Sequence, residues 1–203
     1  MFFPRMWDYR EESYIDIYKS YIGNKGIKVQ GCKEMKPTFI QNLIFFFDYQ
    51  INWMYWRYFL WNFAGRQNDI HSPSPGDIFK GNWECGIGFI DRIRLGDQSD
   101  APSYLAENEG KNHYYMLPLL LGLIGIFFQY SRDKRGCWIT FLMFFMTGLA
   151  VVVYLNQSPL QVRERDYAYA GSFYFFSAWI GIGVLAITER ILSVVRDKKW
   201  EKC

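Results

Sequence analysis

Three stretches of this chain run without a single charge for nearly the thickness of a bilayer, and no other feature restricts its fold as strongly. Residues 114–130 ("YYMLPLLLGLIGIFFQY") and 137–155 ("CWITFLMFFMTGLAVVVYL") contain no Asp, Glu, Lys or Arg, and a third run from Ser172 is free of them to Thr188. A hydrocarbon core about 30 Å thick is crossed by about 20 apolar helical residues. The expectation is an all-α membrane protein with three transmembrane helices, near 114–130, 137–155 and 172–192. The first and third are short and would lean on flanking aromatics or on neighbouring helices.

Charge in the connections orients these spans. The segment 131–136, "SRDKRG", holds three basic residues and one acid, and the tail "SVVRDKKWEKC" holds four basic and two acidic residues, whereas the connection 156–171 is balanced. The positive-inside bias then puts 131–136 and the C-terminus in the cytoplasm, with 1–113 and 156–171 outside. Two regions result: an outward-facing stretch, 1–113, and a three-span membrane region, 114–203, with a cytoplasmic tail at 193–203. The opening "MFFPRMWDYREES" has neither the basic and apolar regions nor the cleavage site of a signal peptide. Export of 1–113 is therefore expected to depend on earlier helices of a larger multi-span protein, of which this chain is the C-terminal portion.

Within the outward region, "TFIQNLIFFFDYQINWMYWRYFLWNFAGRQND" reads as one helix over 39–64, with Thr38 as N-cap and Gly65 as C-cap. Twelve of the 26 residues from Phe39 to Ala64 are aromatic. At 100° per residue Gln41, Asp48, Asn52, Tyr55 and Asn62 share a stripe, and Gln50 and Arg57 fall opposite. Neither face is cleanly apolar, which suits a helix at the membrane interface or among other helices. The segments 71–77 and 97–112 have loop composition, and "GNWECGIGFIDRIRLG" between them reads as a short buried element.

Other chemistries find little support. The net charge of +3 argues for neither nucleic acid nor an acidic substrate. Cys32 and Cys85 both fall in the outward region and can pair, but four cysteines and two histidines show no metal-ligand spacing, so no metal or other cofactor is expected. Gly86-Ile87-Gly88 lacks the third glycine and the strand–helix frame of a dinucleotide site.

The runs "NLIFFFDYQINWMYWRYFLWNFAGRQND", "GNWECGIGFIDRIRLG", "LPLLLGLIG" and "TGLAVVVYLNQSPLQVRERDYAYAGSFYFF" together resemble a bacterial inner-membrane family catalogued as a domain of unknown function, itself similar to protein O-mannosyltransferases of the GT-C superfamily. The motifs around 55–69 and 161–173 carry most of that resemblance. It implies an inverting transfer of a sugar, mannose foremost, from a polyprenyl-phosphate donor to Ser or Thr of an exported protein. It also implies a catalytic carboxylate in an early outward loop that no motif of this chain matches, so a portion such as this one is expected to be inactive alone.

On that footing the charge cluster before the third span becomes a candidate substrate site. Arg163 and Arg165 are placed to hold a lipid-linked phosphate through the planar guanidinium fork. Glu164 and Asp166 are expected to orient those guanidiniums or bind sugar hydroxyls, with Asp166 capping the next helix. Tyr167 and Tyr169 would offer ring faces to a pyranose or simply anchor the helix at the interface, and Arg57, Arg66 and Asp69 are further substrate-binding candidates. Arg57 stands out, since a charge in hydrocarbon costs about 2.5–3.5 kcal/mol unless it is wet or paired. The plainer alternative is a solvated, salt-bridged loop worth about 0–1 kcal/mol per pair. The functional alternative is a non-catalytic membrane protein that binds lipid headgroups or a partner, or a transporter fragment, although the span 137–155 offers a transporter only Thr140 and Thr147 as polar midplane groups.

Overall fold

The computed structural model describes residues 16–17, 19–20, 26–28, 35–72, 75–98, 101–158 and 163–200. Within them the chain is mostly helical, with two small antiparallel pairs: β1 (Ile27–Lys28) with β2 (Met35–Lys36), and β3 (Gly65–Arg66) with β4 (Asn112–His113).

The aromatic run forms one continuous rod: α1 (Phe39–Phe45), a π-helical segment (Phe46–Trp56) and α2 (Arg57–Phe63). Thr38 starts it as expected. Its hydroxyl accepts from the Gln41 amide at 3.3 Å while the Gln41 side chain accepts from the Thr38 amide at 2.6 Å, a reciprocal capping box. At the other end Ala64, not Gly65, is the cap. Gly65 serves the sheet instead. Its φ is +139°, and a Cβ there would collide with the Glu84 carbonyl oxygen and stand 2.7 Å from that of Asn112.

The π segment closes its turns through i→i+5 bonds, so residue positions rotate away from the 100° stripe. Gln50 and Arg57 are buried and Asp48, Asn52 and Asn62 exposed, in line with the expected opposition, but Gln41 and Tyr55 are buried too. The rod sits among other elements: Phe45, Tyr49, Trp53, Tyr55, Tyr58 and Trp61 form a core with Val152 and Tyr169. Each such side chain contributes about 1.5–3 kcal/mol of burial free energy.

Short helices α3 (Gly88–Leu95) and α4 (Ser103–Ala106) lie between β3 and β4. Beyond residue 116 come α5 (Leu117–Arg132), α6 (Lys134–Thr147), α7 (Leu149–Leu155) and α8 (Ala170–Trp200), the last preceded by a 3₁₀ turn at Asp166–Tyr169. Two helical stretches, Lys134–Leu155 with 22 residues and Asp166–Arg196 with 31, are long and apolar enough to cross a membrane. The expected first span is shorter than that. Tyr115 and Met116 take left-handed backbone angles, φ 52° and 57°, and hold the chain out of helix until Leu117. The resulting 16-residue helix is about 24 Å long at 1.5 Å per residue.

Helices α5 and α8 cross at glycines. A Cβ on Gly125 would run into the Trp179 carbonyl, and one on Gly183 into that of Leu121, so the backbones touch as small residues permit. Arg132 and Glu189 pair at 2.5 Å at one end of this bundle. At the other end, Gln50 donates to Asn156 Oδ1 at 3.2 Å and to the Gln157 carbonyl at 2.7 Å, and the Tyr55 and Ser172 hydroxyls meet at 3.1 Å. The connection between α7 and α8 therefore returns onto the aromatic rod.

Candidate functional site

At this end three side chains converge on Glu164. Arg57 Nη2 donates to its Oε2 at 2.7 Å and Nη1 to its Oε1 at 3.3 Å, His71 Nδ1 stands 3.1 Å from Oε1, and the Tyr58 hydroxyl donates to Oε2. Arg57 and Tyr58 begin α2, so the helix presents both to one carboxylate. The remaining Arg57 donors reach the Trp53 carbonyl at 3.0 Å and the Gly81 carbonyl at 2.9 Å, and the guanidinium lies 4.1 Å from the Trp53 ring centre and 4.4 Å from that of Tyr58. Asn68 fixes the turn that carries the Gly81 carbonyl, accepting from the Gly81 amide at 2.8 Å and donating to the Phe79 carbonyl at 2.8 Å.

Burial works to raise the Glu164 carboxyl. The Arg57 charge, the hydrogen bonds from Arg57 and Tyr58, and His71 outweigh it and hold the group below its ordinary range. Burial, the largest influence on Tyr58, drives its hydroxyl far above the usual phenol value. At neutral pH the pair is a carboxylate held by a proton-bearing phenol. Every Glu164 oxygen is engaged, so this carboxylate anchors a loop and is not poised as a free base.

Arg57 also lines a cavity of about 440 Å³ whose other walls include Trp53, Trp56, Trp83, Asn52, Asp77 and Arg94. That size falls within the range of small-molecule sites. Arg94 donates to the Trp83 carbonyl, its guanidinium lies 3.9 Å from the Trp83 ring centre, and its Nε is buried without a partner. Among the described residues no carboxylate comes within 4.0 Å of it. Burial pulls this arginine down to about 10 against the opposing pull of Asp91, Cys85 and Glu84. Asp91 itself is occupied, accepting from the Cys85 amide at 3.0 Å and the Gly86 amide at 2.8 Å. The cavity thus joins indole surface to a cation whose charge is not met at contact distance.

The structure redistributes the residues expected from sequence. Glu164, expected to orient Arg163 and Arg165, is taken by Arg57 instead. Arg163 is exposed, while Arg165 is half-buried with an unpartnered Nε and gives its backbone amide to the Tyr58 hydroxyl at 3.2 Å. Asp166 is no helix cap: the 3₁₀ turn begins on it, Arg165 holds the cap position, and no side-chain cap bond forms. Tyr169 is a core residue, its ring 5.3 Å from Tyr55 and edge-on to it, so it offers no face to a sugar, whereas Tyr167 is exposed. Arg66 donates to the Gly110 carbonyl at 2.8 Å and lies over Trp61, and Asp69 is exposed beside Gly110. Neither joins the Glu164 cluster or the cavity wall. Cys85 is a buried free thiol, and Cys32, its expected partner, lies outside the described residues.

Sequence reasoning passed over His71, Tyr58, Asp77, Trp83 and Arg94. Only Arg57, a charge inside an aromatic run, advertised itself. The others gather from separate loops and helices with no shared spacing. A family model described as "Family of unknown function (DUF8416)" matches residues 1–47, ending before Arg57 and the cavity. No curated protein and no solved structure matches the chain.

Proposed function

We propose that the chain is an integral membrane protein of the glycosyltransferase type, which binds a polyprenyl-phosphate sugar, mannose foremost, for transfer to Ser or Thr of an exported protein. The cavity between Arg57 and Arg94 receives the donor head. The observation that carries this reading is Arg94, an arginine with no carboxylate at contact distance among the described residues, set in a tryptophan-lined cavity at the end of an apolar bundle. A sugar phosphate needs that combination: aromatic faces for the C–H surface of the pyranose and a guanidinium fork for the phosphate. Arg163 and Arg165 on the adjoining loop supply further positive charge toward the same end of the bundle.

The test is binding of radiolabelled polyprenyl-phosphate mannose to the protein in lipid nanodiscs. Saturable binding weakened at least about tenfold, or about 1.4 kcal/mol, in Arg94→Gln is expected. Binding unchanged in Arg94→Gln but lost in the Arg163→Ala, Arg165→Ala double variant would move the phosphate to the loop. No saturable binding by the wild type would sink the reading.

A second reading is favoured by one specific observation, the full engagement of Glu164. With that carboxylate spent on Arg57, Tyr58 and His71, the described residues fit recognition better than acid–base chemistry. The chain would then bind a phosphate-bearing lipid headgroup without transferring anything. Equal affinity for polyprenyl phosphate with and without its sugar is the outcome that selects this alternative.

A further inference from the structure

Helix α3 (Gly88–Leu95) turns two large apolar side chains outward and an acid inward, an uncommon arrangement for a water-facing helix. Asp91 and Leu95 are buried and Arg94 is half-buried, while Phe89 and Ile93, one turn apart, are 76% and 71% exposed. On a soluble surface the apolar pair would turn inward and the ions outward. The inversion has a neighbour of the same character. The Cys85 carbonyl accepts from the Tyr115 amide at 2.9 Å, and Gly86 lies against the Tyr115 ring, so α3 leaves directly from the start of α5. Ile87, Tyr114, Tyr115 and Leu117 are all exposed there, so the outward apolar surface of α5 runs on toward Phe89.

We propose that α3 is an interfacial helix, with Phe89 and Ile93 seated in the membrane leaflet that surrounds the start of α5. This rests on reading the bundle as membrane-spanning, and it goes further in assigning a lipid contact to a segment that spans nothing. Tyr114 and Tyr115 occupy the headgroup level that tyrosine favours, and the exposed Arg92 on the same helix lies within reach of lipid phosphates. The consequence reaches the cavity. Arg94 and Leu95, on the other side of α3, line it. A membrane-seated α3 holds the cavity mouth at headgroup height, where a lipid-linked phosphate enters sideways from the leaflet without leaving the bilayer.

The experiment places an environment-sensitive fluorescent amino acid genetically at position 93, 142 or 69 of the full chain and reconstitutes each protein in vesicles containing brominated lipid. Residue 142 lies in α6 and is exposed on the bundle, and Asp69 is exposed in the polar region. The apolar face of an interfacial helix sits about 5–10 Å deep, so quenching at 93 of at least about half that at 142, with little at 69, is expected. Quenching at 93 no greater than at 69, while 142 is quenched, overturns the lipid contact and leaves the spanning bundle standing. Quenching at none of the three removes both. A spectrum at 93 that responds to protein concentration but not to brominated lipid assigns the face to a second copy of the chain, and also overturns the proposal. A Phe89→Ser, Ile93→Ser double variant labelled at Tyr115 supplies an independent reading, with reduced quenching expected there.

Discussion

Phe127 and Trp138 in the helical bundle are 73% and 62% exposed, whereas Tyr55 and Tyr58, a short distance away on the aromatic rod, are fully buried. Aromatics of the bundle are thus divided, Phe127 and Trp138 outward and Phe176 and Trp179 inward, whereas most of those on the rod are buried. Only 11% of the most apolar window of either long helix is buried, and the bundle's interior combines Phe176 and Trp179 with close backbone approach at Gly125 and Gly183. The region built from 39–113 and 163–169 packs a larger set of aromatics inside and pairs the buried Arg57 with Glu164. On the reading that the bundle spans a membrane, as we propose, the contrast follows from solvent. Where lipid surrounds a helix, apolar side chains gain nothing by turning inward and close backbone packing holds the helices together. Where water surrounds a fold, aromatic burial supplies the stability and an unpaired interior ion is penalised.

The largest expected effect tests the second half of that contrast. Glu164→Ala strands the buried Arg57 and should destabilise the aromatic region by about 3–5 kcal/mol, seen as protease cleavage between 39 and 113 at denaturant concentrations that leave α6 and α8 intact. Replacing both partners, Arg57→Met with Glu164→Leu, should recover most of the loss, because it removes the ion as well as its partner. The same carboxylate sets a pH dependence. Its native value is depressed, so its contribution is complete above the ordinary carboxyl value of about 4.3 and fades as pH falls through the lower native value. Hydrogen exchange at 163–169 should quicken on acidification in the wild type and stay flat over that window in Glu164→Gln.

Gly125→Leu probes the bundle, where its side chain meets the Trp179 carbonyl. A loss of about 1–3 kcal/mol is expected, read as weakened association of α5 with α8 while the Arg57–Glu164 region keeps its protection. Equal loosening of both regions would break the comparison, because it would mean one cooperative core. The smallest effect concerns their seam. Tyr55→Phe removes the hydroxyl that meets Ser172 at 3.1 Å and should cost about 1 kcal/mol, with exchange rising at both Tyr55 and the first turn of α8. Burial raises the Tyr55 hydroxyl to about 12, with the Ser172 contact opposing it, so its titration lies outside any physiological range.

Apolar runs of fixed length and the Thr38 capping signal act over a few residues, so the helix over 39–63 and the two long apolar helices could be read directly from sequence. The shortening of the first run could not. It depends on the left-handed turn at Tyr115 and Met116, which the chain adopts while pairing Asn112–His113 with Gly65–Arg66. The site divides the same way. Arg57 was legible because a charge in an aromatic helix must find a partner, but Glu164 lies 107 residues further on, and nothing local names it. Tyr169 carried the opposite error, since an aromatic beside a charged loop looks accessible until the fold buries it against Tyr55.

By itself, then, the sequence determined which segments are helical and apolar and where a buried charge had to be accommodated, because solvation and helix geometry are properties of short stretches. Only the tertiary structure decided that Glu164 answers Arg57, that Arg94 stands beside Trp83 with no carboxylate among the described residues in contact, and that α3 turns Phe89 and Ile93 outward. Those choices depend on long loops closing in three dimensions, and no spacing along the chain encodes them.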